Sequence, residues 1–143
     1  MEPSECIVGG CGHIGLPLGI ALAEVGVHVT LLDIDQARVH RVAAGRMPFL
    51  ERGADELLPS VIATGRPQAT TSVDVIRDHD TVVVTIETPV DEFMDPGVRS
   101  FDRSIDQVLS YYPGKKVSHP CTYLPDAPAR ALRHSPRWRV GFV

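Results

Sequence analysis

The sequence has no long hydrophobic run, few cysteines and no excess of positive charge, and each lack excludes something. No apolar stretch approaches the roughly 20 residues that a helical membrane span needs, so no membrane partner is expected. Three cysteines (Cys6, Cys11 and Cys121) are an odd number at loose spacing. They form no disulfide framework and fit a reducing, cytoplasmic setting. Lys and Arg number 14 against 18 Asp and Glu, a net charge of −4. That speaks against nucleic acid as a partner, because binding it favours a basic surface. The opening "MEPSE" is acidic and leads straight into a strand-like run, unlike the basic entry of a signal peptide. What is present is ordinary for a globular chain: 43% hydrophobic and 22% charged residues in a length of 143 that suits one domain.

Strand-like and helix-like segments alternate. "ECIVGG" reads as a buried strand broken by glycine. Apolar residues at Ile14, Leu18, Ala21, Leu22 and Val25 then take the spacing of one helical face. Pro17 lies in the first turn, where its missing N–H leaves no bond unmade, and Gly26 is the stop. "VHVTLLDI" is a second strand. Asp35 can cap a helix carrying Val39, Val42 and Ala43 on one side and stopping at Gly45. After the loop "RMPFLERG", Leu57, Leu58, Val61 and Ile62 mark another helix, which Pro59 is expected to kink or delay. "QATTS" predicts a short strand, "VDVIRDH" a short helix, and "DTVVVTIETP" a β-branched strand ended by Pro89. "DEFMDPGVRS" reads as loop and "FDRSIDQVLSYY" as helix.

Strands apolar on both faces and joined through helices imply a parallel sheet covered on both sides. With right-handed crossovers this is an α/β, doubly wound, Rossmann-type single domain, expected over residues 1–117. From residue 118 to 143 neither period persists and Pro, Arg and His accumulate, so an irregular C-terminal tail is expected.

Gly10, Gly12 and Gly15 form G-x-G-x-x-G between the first strand and the first helix, the context in which that pattern is informative. Gly10 is expected to permit a tight turn, Gly12 to let main chain approach a pyrophosphate, and Gly15 to let the helix pack closely. The helix N-terminus adds free N–H groups and a positive dipole end. Asp33, at the end of the second strand, stands near the offset of the acid that binds the adenosine ribose, and favours NAD over NADP. Arg38 softens that preference, since a nearby Arg can accommodate a 2′-phosphate. Cys6, Cys11 and His13 lack the fourth partner and spacing of a zinc site. Cys6 is better read as a core residue, and His13 as a cover over the cofactor phosphates. Glu87 and Asp91 could pair for proton transfer, but nothing beside them looks like a nucleophile, and they read as solvated loop acids.

These residues stand in a familiar order. "VGGCGHIGLPLGIALAEVG" resembles the opening of the UDP-glucose/GDP-mannose dehydrogenase family. "VAAGRMPFLERGADELL" is similar to its N-x-G-x-x-P-x-x-E-P-G-x-x-E-L-L segment, "ATGRPQATTS" to S-G-R-L-x-A-T-T-D, and "VVVTIETPVDE" to V-x-V-x-G-T-P-x-D-E. The likeness spans Cys6 to Glu92 and continues loosely to about Gly114. It implies oxidation of a nucleotide-sugar C6 hydroxyl to a carboxylate in two NAD-dependent steps through a cysteine thioester. It also implies a cofactor site of Gly10, Cys11, Gly12, His13, Ile14, Gly15, Asp33, Ile34 and Arg38, with Thr88 and Pro89 at the end of a central strand. The chain departs from the family at Glu87, where a small residue is usual, at Arg52, at Gly97, and after "YYPGKK", where Thr122 is a poor counterpart of the expected R-S-T strand.

The family's catalytic lysine, asparagine and cysteine would lie beyond Val143, and Cys121 lacks their surroundings, so no catalytic residue is assigned. A truncated or frame-shifted gene is expected. The chain is therefore read as the NAD-binding part of a nucleotide-sugar dehydrogenase, inactive in isolation, with a nucleotide sugar as partner only if the missing domains are supplied. Those missing domains would leave apolar surface that favours a homo-oligomer. Two other readings stay open: a non-catalytic NAD-sensing module, and the cofactor half of a split hydroxyacid or 3-hydroxyacyl-CoA dehydrogenase.

Overall fold

The computed structural model describes residues 3–79 and 81–85, and the backbone of two short strands at 116–118 and 140–141. The elements run β1 (Ser4–Val8), α1 (Gly15–Glu24), β2 (His28–Leu32), α2 (Gln36–Ala43), α3 (Ala54–Ala63) and β3 (Pro67–Thr70). A 3₁₀ helix (Val73–Asp78), β4 (Thr81–Val84), β5 (Lys116–Ser118) and β6 (Val140–Gly141) complete them. Every pairing is parallel and the sheet order is β3-β2-β1-β4-β5-β6. The chain winds outward from β1 to β3, then returns to β4 on the other side of β1, so the switch point falls between β1 and β4. This is the doubly wound Rossmann arrangement, in which ligands collect beyond the strand C-termini at that point. Of the segment expected to be irregular, Ser118, Val140 and Gly141 are described, and all three stand in strands. The expected loop over 91–100, the helix over 101–112 and the continuation of β4 through Pro89 lie outside the described residues.

Both faces of the central strands are buried, as a parallel sheet requires. Along β1, Ile7 joins a cluster with Leu16, Ile20, Leu31, Val42 and Leu58, while Cys6 and Val8 join Leu32, Ile76, Val82 and Val84 on the opposite face. Helices α1, α2 and α3 cover the first cluster; the 3₁₀ helix, through Val73, Val75 and Ile76, lies on the second. Each large side chain so buried contributes about 1.5–3 kcal/mol.

The inward face of α1 differs from the expected one. Gly15, Leu16, Gly19, Ile20 and Ala23 are buried, whereas Ala21 and Val25 are exposed. The reason is close approach: a Cβ on Gly19 would lie 2.5 Å from Leu31 Cδ2. Small residues therefore make the contact stripe, and a reading weighted toward bulky apolar residues rotates the helix. Helix α2 is as expected for Val39 and Val42, which are buried, but Ala43 is exposed. Pro59 does not delay α3, which opens at Ala54 and runs through it with the proline exposed.

The glycine pattern hides two different demands. A Cβ on Gly10 would sit 2.6 Å from Leu31 Cα and 2.8 Å from the Ile7 carbonyl oxygen, both main chain, whereas one on Gly12 would meet only the Gly9 oxygen, at 3.3 Å. Gly10→Ala should lower stability to urea by about 2–3 kcal/mol, with Gly12→Ala well under half of that. Equal losses for the two would contradict this geometry.

Candidate functional site

The sheet register puts three strand ends at one level, since Val8 pairs with Leu32 on one side and Val84 on the other. The next residues are Gly9, Asp33 and Thr85, and the candidate site is built on them. Gly9 takes φ of +78°, a conformation that L side chains rarely adopt. The left-handed turn therefore belongs to Gly9, one residue before the glycine expected to make it, while Gly10 lies flat against β2. The amides of Gly9 and Gly10 both donate to the Leu32 carbonyl, at 2.8 and 3.1 Å, and the Gly12 amide donates back to Gly9 at 3.1 Å. Gly15 performs its expected packing role: a Cβ there would strike the Gly9 carbonyl oxygen and lie 2.6 Å from Thr85 Oγ1.

Helix α1 opens without a side-chain cap. Its N-cap is Ile14, its first turn holds no acid, and the amides of His13, Ile14 and Gly15 are engaged by no described residue. Helix α2, by contrast, is capped by Asp35, which accepts from the Arg38 amide at 3.1 Å. An aliphatic N-cap leaves the first-turn donors to an external acceptor, and the dipole end favours an anion.

Asp33 is tied to this loop. Its Oδ2 accepts from the Cys11 amide at 3.0 Å and its Oδ1 from the Asp35 amide at 3.0 Å. Each carboxylate oxygen keeps a second acceptor position, enough for a pair of vicinal hydroxyls. Ile34, beside it, is 97% exposed. Arg38 Nε lies 3.5 Å from Asp35 Oδ2. His13 is exposed and its ring stacks on Phe49, with centroids 4.1 Å apart and an interplanar angle of 30°.

Cys11 is fully buried in the core cluster with Ile7 and Leu16, so it reaches the loop only through its amide. Burial pushes the Cys6 and Cys11 thiols up to about 12 from an ordinary 9.0; for Cys11 the Asp33 carboxylate adds to the shift. Among the described residues no group of His, Cys, Asp and Glu could hold a metal ion. Nor is any helix there long and apolar enough to cross a membrane. Thr88, Pro89, Glu87 and Asp91 lie outside the described residues.

Three residues of the site were not singled out by sequence. Gly9 carried the visible signal of a glycine directly before Gly10. Phe49 and Thr85 carried none, because their partners are 36 and 76–77 positions away. Thr85, 4% exposed, donates from Oγ1 to the Val8 carbonyl at 2.8 Å and lies 3.2 Å from that of Gly9.

Main-chain amides with no described acceptor and a fixed acid one strand over, at the switch point of a parallel sheet, are the layout of a dinucleotide-binding domain. The comparisons narrow the class. Residues 4–128 match the NAD binding domain of the UDP-glucose/GDP-mannose dehydrogenase family. The chain belongs to that family, as its NAD-binding domain, and its cofactor is NAD. It is 35% identical over 81 residues to the UDP-glucose 6-dehydrogenase YwqF of Bacillus subtilis, a stretch that is 56% of this chain and 18% of the relative. It is 31% identical over 88 residues to the UDP-glucose 6-dehydrogenase of Pseudomonas aeruginosa, 61% of this chain and 19% of that enzyme. The chain thus spans about a fifth of the curated relatives it matches. In fold it is similar to the UDP-D-ManNAc dehydrogenase of Pyrococcus horikoshii, with a TM-score of 0.84 at 22% identity, covering 97% of this chain and 35% of that one.

The buried thiols give a measurable consequence. An unfolded thiol ionises near 9.0 and the folded ones near 12, so their contribution to stability is full below pH 9 and is lost as pH rises toward 12. In a Cys121→Ser variant at pH 8, a thiol reagent should label neither remaining cysteine until denaturant is added; labelling of the native chain would refute their burial. Thr85→Val should cost about 1–2 kcal/mol in urea unfolding, and Thr85→Ser should recover most of it.

Proposed function

We propose that this chain supplies the NAD site of a nucleotide-sugar 6-dehydrogenase, which oxidises a sugar C6 hydroxyl to a carboxylate. The observation that carries the reading is the uncapped opening of α1, where the His13, Ile14 and Gly15 amides meet no described acceptor, next to an acid fixed at the end of β2. In this reading the diphosphate of NAD lies over Gly12, held by those three amides. Gly10 and Gly15 act by close packing, and Cys11 acts through the amide that orients Asp33. The adenosine ribose hydroxyls donate to Asp33, with Ile34 and Arg38 flanking. His13, braced by Phe49, lies over the phosphates. Thr88 and Pro89 enter from the family likeness alone.

Gly12 supports the fit, because the direction its Cβ would take is open except for the Gly9 oxygen. Bound NAD supplies the hydride acceptor for the alcohol. This chain's residues bind it and orient it at the switch point. The reading gives Cys6 and Cys11 no covalent role, since a nucleophilic thiol must be accessible and ionised. It leaves sugar binding and the thioester chemistry to other domains, without which turnover is not expected. The free thiols among the described cysteines fit a cytoplasmic location.

Calorimetric titration tests the reading. NAD should bind and NADP should bind at least tenfold more weakly, because a 2′-phosphate would face the Asp33 carboxylate. Gly12→Val should abolish binding with little loss of stability. Asp33→Ala should weaken NAD by about 10–100-fold, and thermal melts should show a separate loss from the freed Cys11 amide. Equal affinity for NAD and NADP would sink the role given to Asp33.

A further inference from the structure

The sequence leaves Arg38 free to accommodate a 2′-phosphate; the geometry gives it another engagement. The Asp35 amide donates to Asp33 Oδ1 at 3.0 Å, and the Asp35 carboxylate accepts the Arg38 amide at 3.1 Å and lies 3.5 Å from Arg38 Nε. Asp33, Asp35 and Arg38 therefore form one connected chain along the end of β2 and the first turn of α2. We propose that Asp35 is a specificity-determining residue, which withholds the Arg38 guanidinium from a dinucleotide bearing a 2′-phosphate. This rests on the reading of Asp33 as the ribose acid.

Two effects act in the same direction. Asp35 holds the guanidinium at its Nε, 3.5 Å away, which draws the fork of N–H groups that would recognise a phosphate toward the acid. Asp35 also adds a second negative charge two residues from Asp33, so one cation faces two acids where the 2′-phosphate would arrive. Both Asp35 and Arg38 side chains are close to half exposed, at 46% and 44%. An ion pair so placed is weak enough to be broken by one substitution without unfolding the helix. Asn caps a helix as well as Asp does, so Asp35→Asn keeps the cap on α2 and removes only the charge.

The test titrates NAD and NADP into the full chain as wild type, Asp35→Asn, Arg38→Ala and the double variant. Asp35→Asn should raise the ratio of NADP to NAD affinity about tenfold. Arg38→Ala alone should leave the ratio within twofold of wild type, because the guanidinium is already withheld, and in the double variant most of the gain should be lost, the remainder being the removed charge of Asp35. NAD binding with a ratio unmoved by Asp35→Asn overturns this inference and leaves the NAD reading intact. A gain as large without Arg38 as with it, or a drop in NADP affinity on Arg38→Ala alone, also overturns it. A chain that binds neither dinucleotide overturns both.

Discussion

The Leu32 carbonyl accepts two amides, those of Gly9 and Gly10, and the rest of the site depends on that double acceptance. It draws the loop after β1 across the end of β2, which only glycine allows: Gly9 must turn left-handed, and Gly10 must lie where any side chain would meet the Leu31 backbone. Once the loop is so placed, the Cys11 amide faces Asp33 and the chain enters α1 with Gly15 beneath Thr85. Helix and turn are thereby held at fixed spacing by main-chain bonds, and the acid is fixed to them through its carboxylate on the Cys11 amide.

The same arrangement divides the loop's donors in two. The amides of Gly9, Gly10, Cys11 and Gly12 are used inside the protein, and those of His13, Ile14 and Gly15 meet no described residue. The first group makes the loop rigid, and the second is the one the proposed NAD site draws on. Preorganised donors need no reordering when an anion arrives, so less of the binding energy is spent on fixing the loop. Thr85, just after the neighbouring strand β4, fills the space that Gly9 and Gly15 leave open and donates to Val8.

On the proposed reading Asp33 has both roles at once. Its carboxylate anchors the loop through Cys11 and the first turn of α2 through Asp35, and it also faces outward with acceptor capacity to spare. A residue that binds and also scaffolds cannot be exchanged for another cofactor preference without cost to the turn. On that reading, preference is more easily altered at Asp35 and Arg38, which touch Asp33 only through main chain or not at all.

The chain's own sequence determined the alternation of buried strands and helices, the parallel sheet, the glycine turn ahead of α1, the Asp35 cap and the acid at the end of β2. Each of these follows from local periodicity or from residues a few positions apart, and local spacing is what a linear reading can measure. Tertiary structure decided which glycine turns left-handed, which stripe of α1 faces inward, where the Cys11 thiol goes, and that Thr85 and Phe49 brace the loop. Those outcomes depend on contacts between strands and loops far apart in the chain, where a few tenths of an ångström of backbone approach determine which side chain fits. No pattern of residue types along the chain encodes that distance.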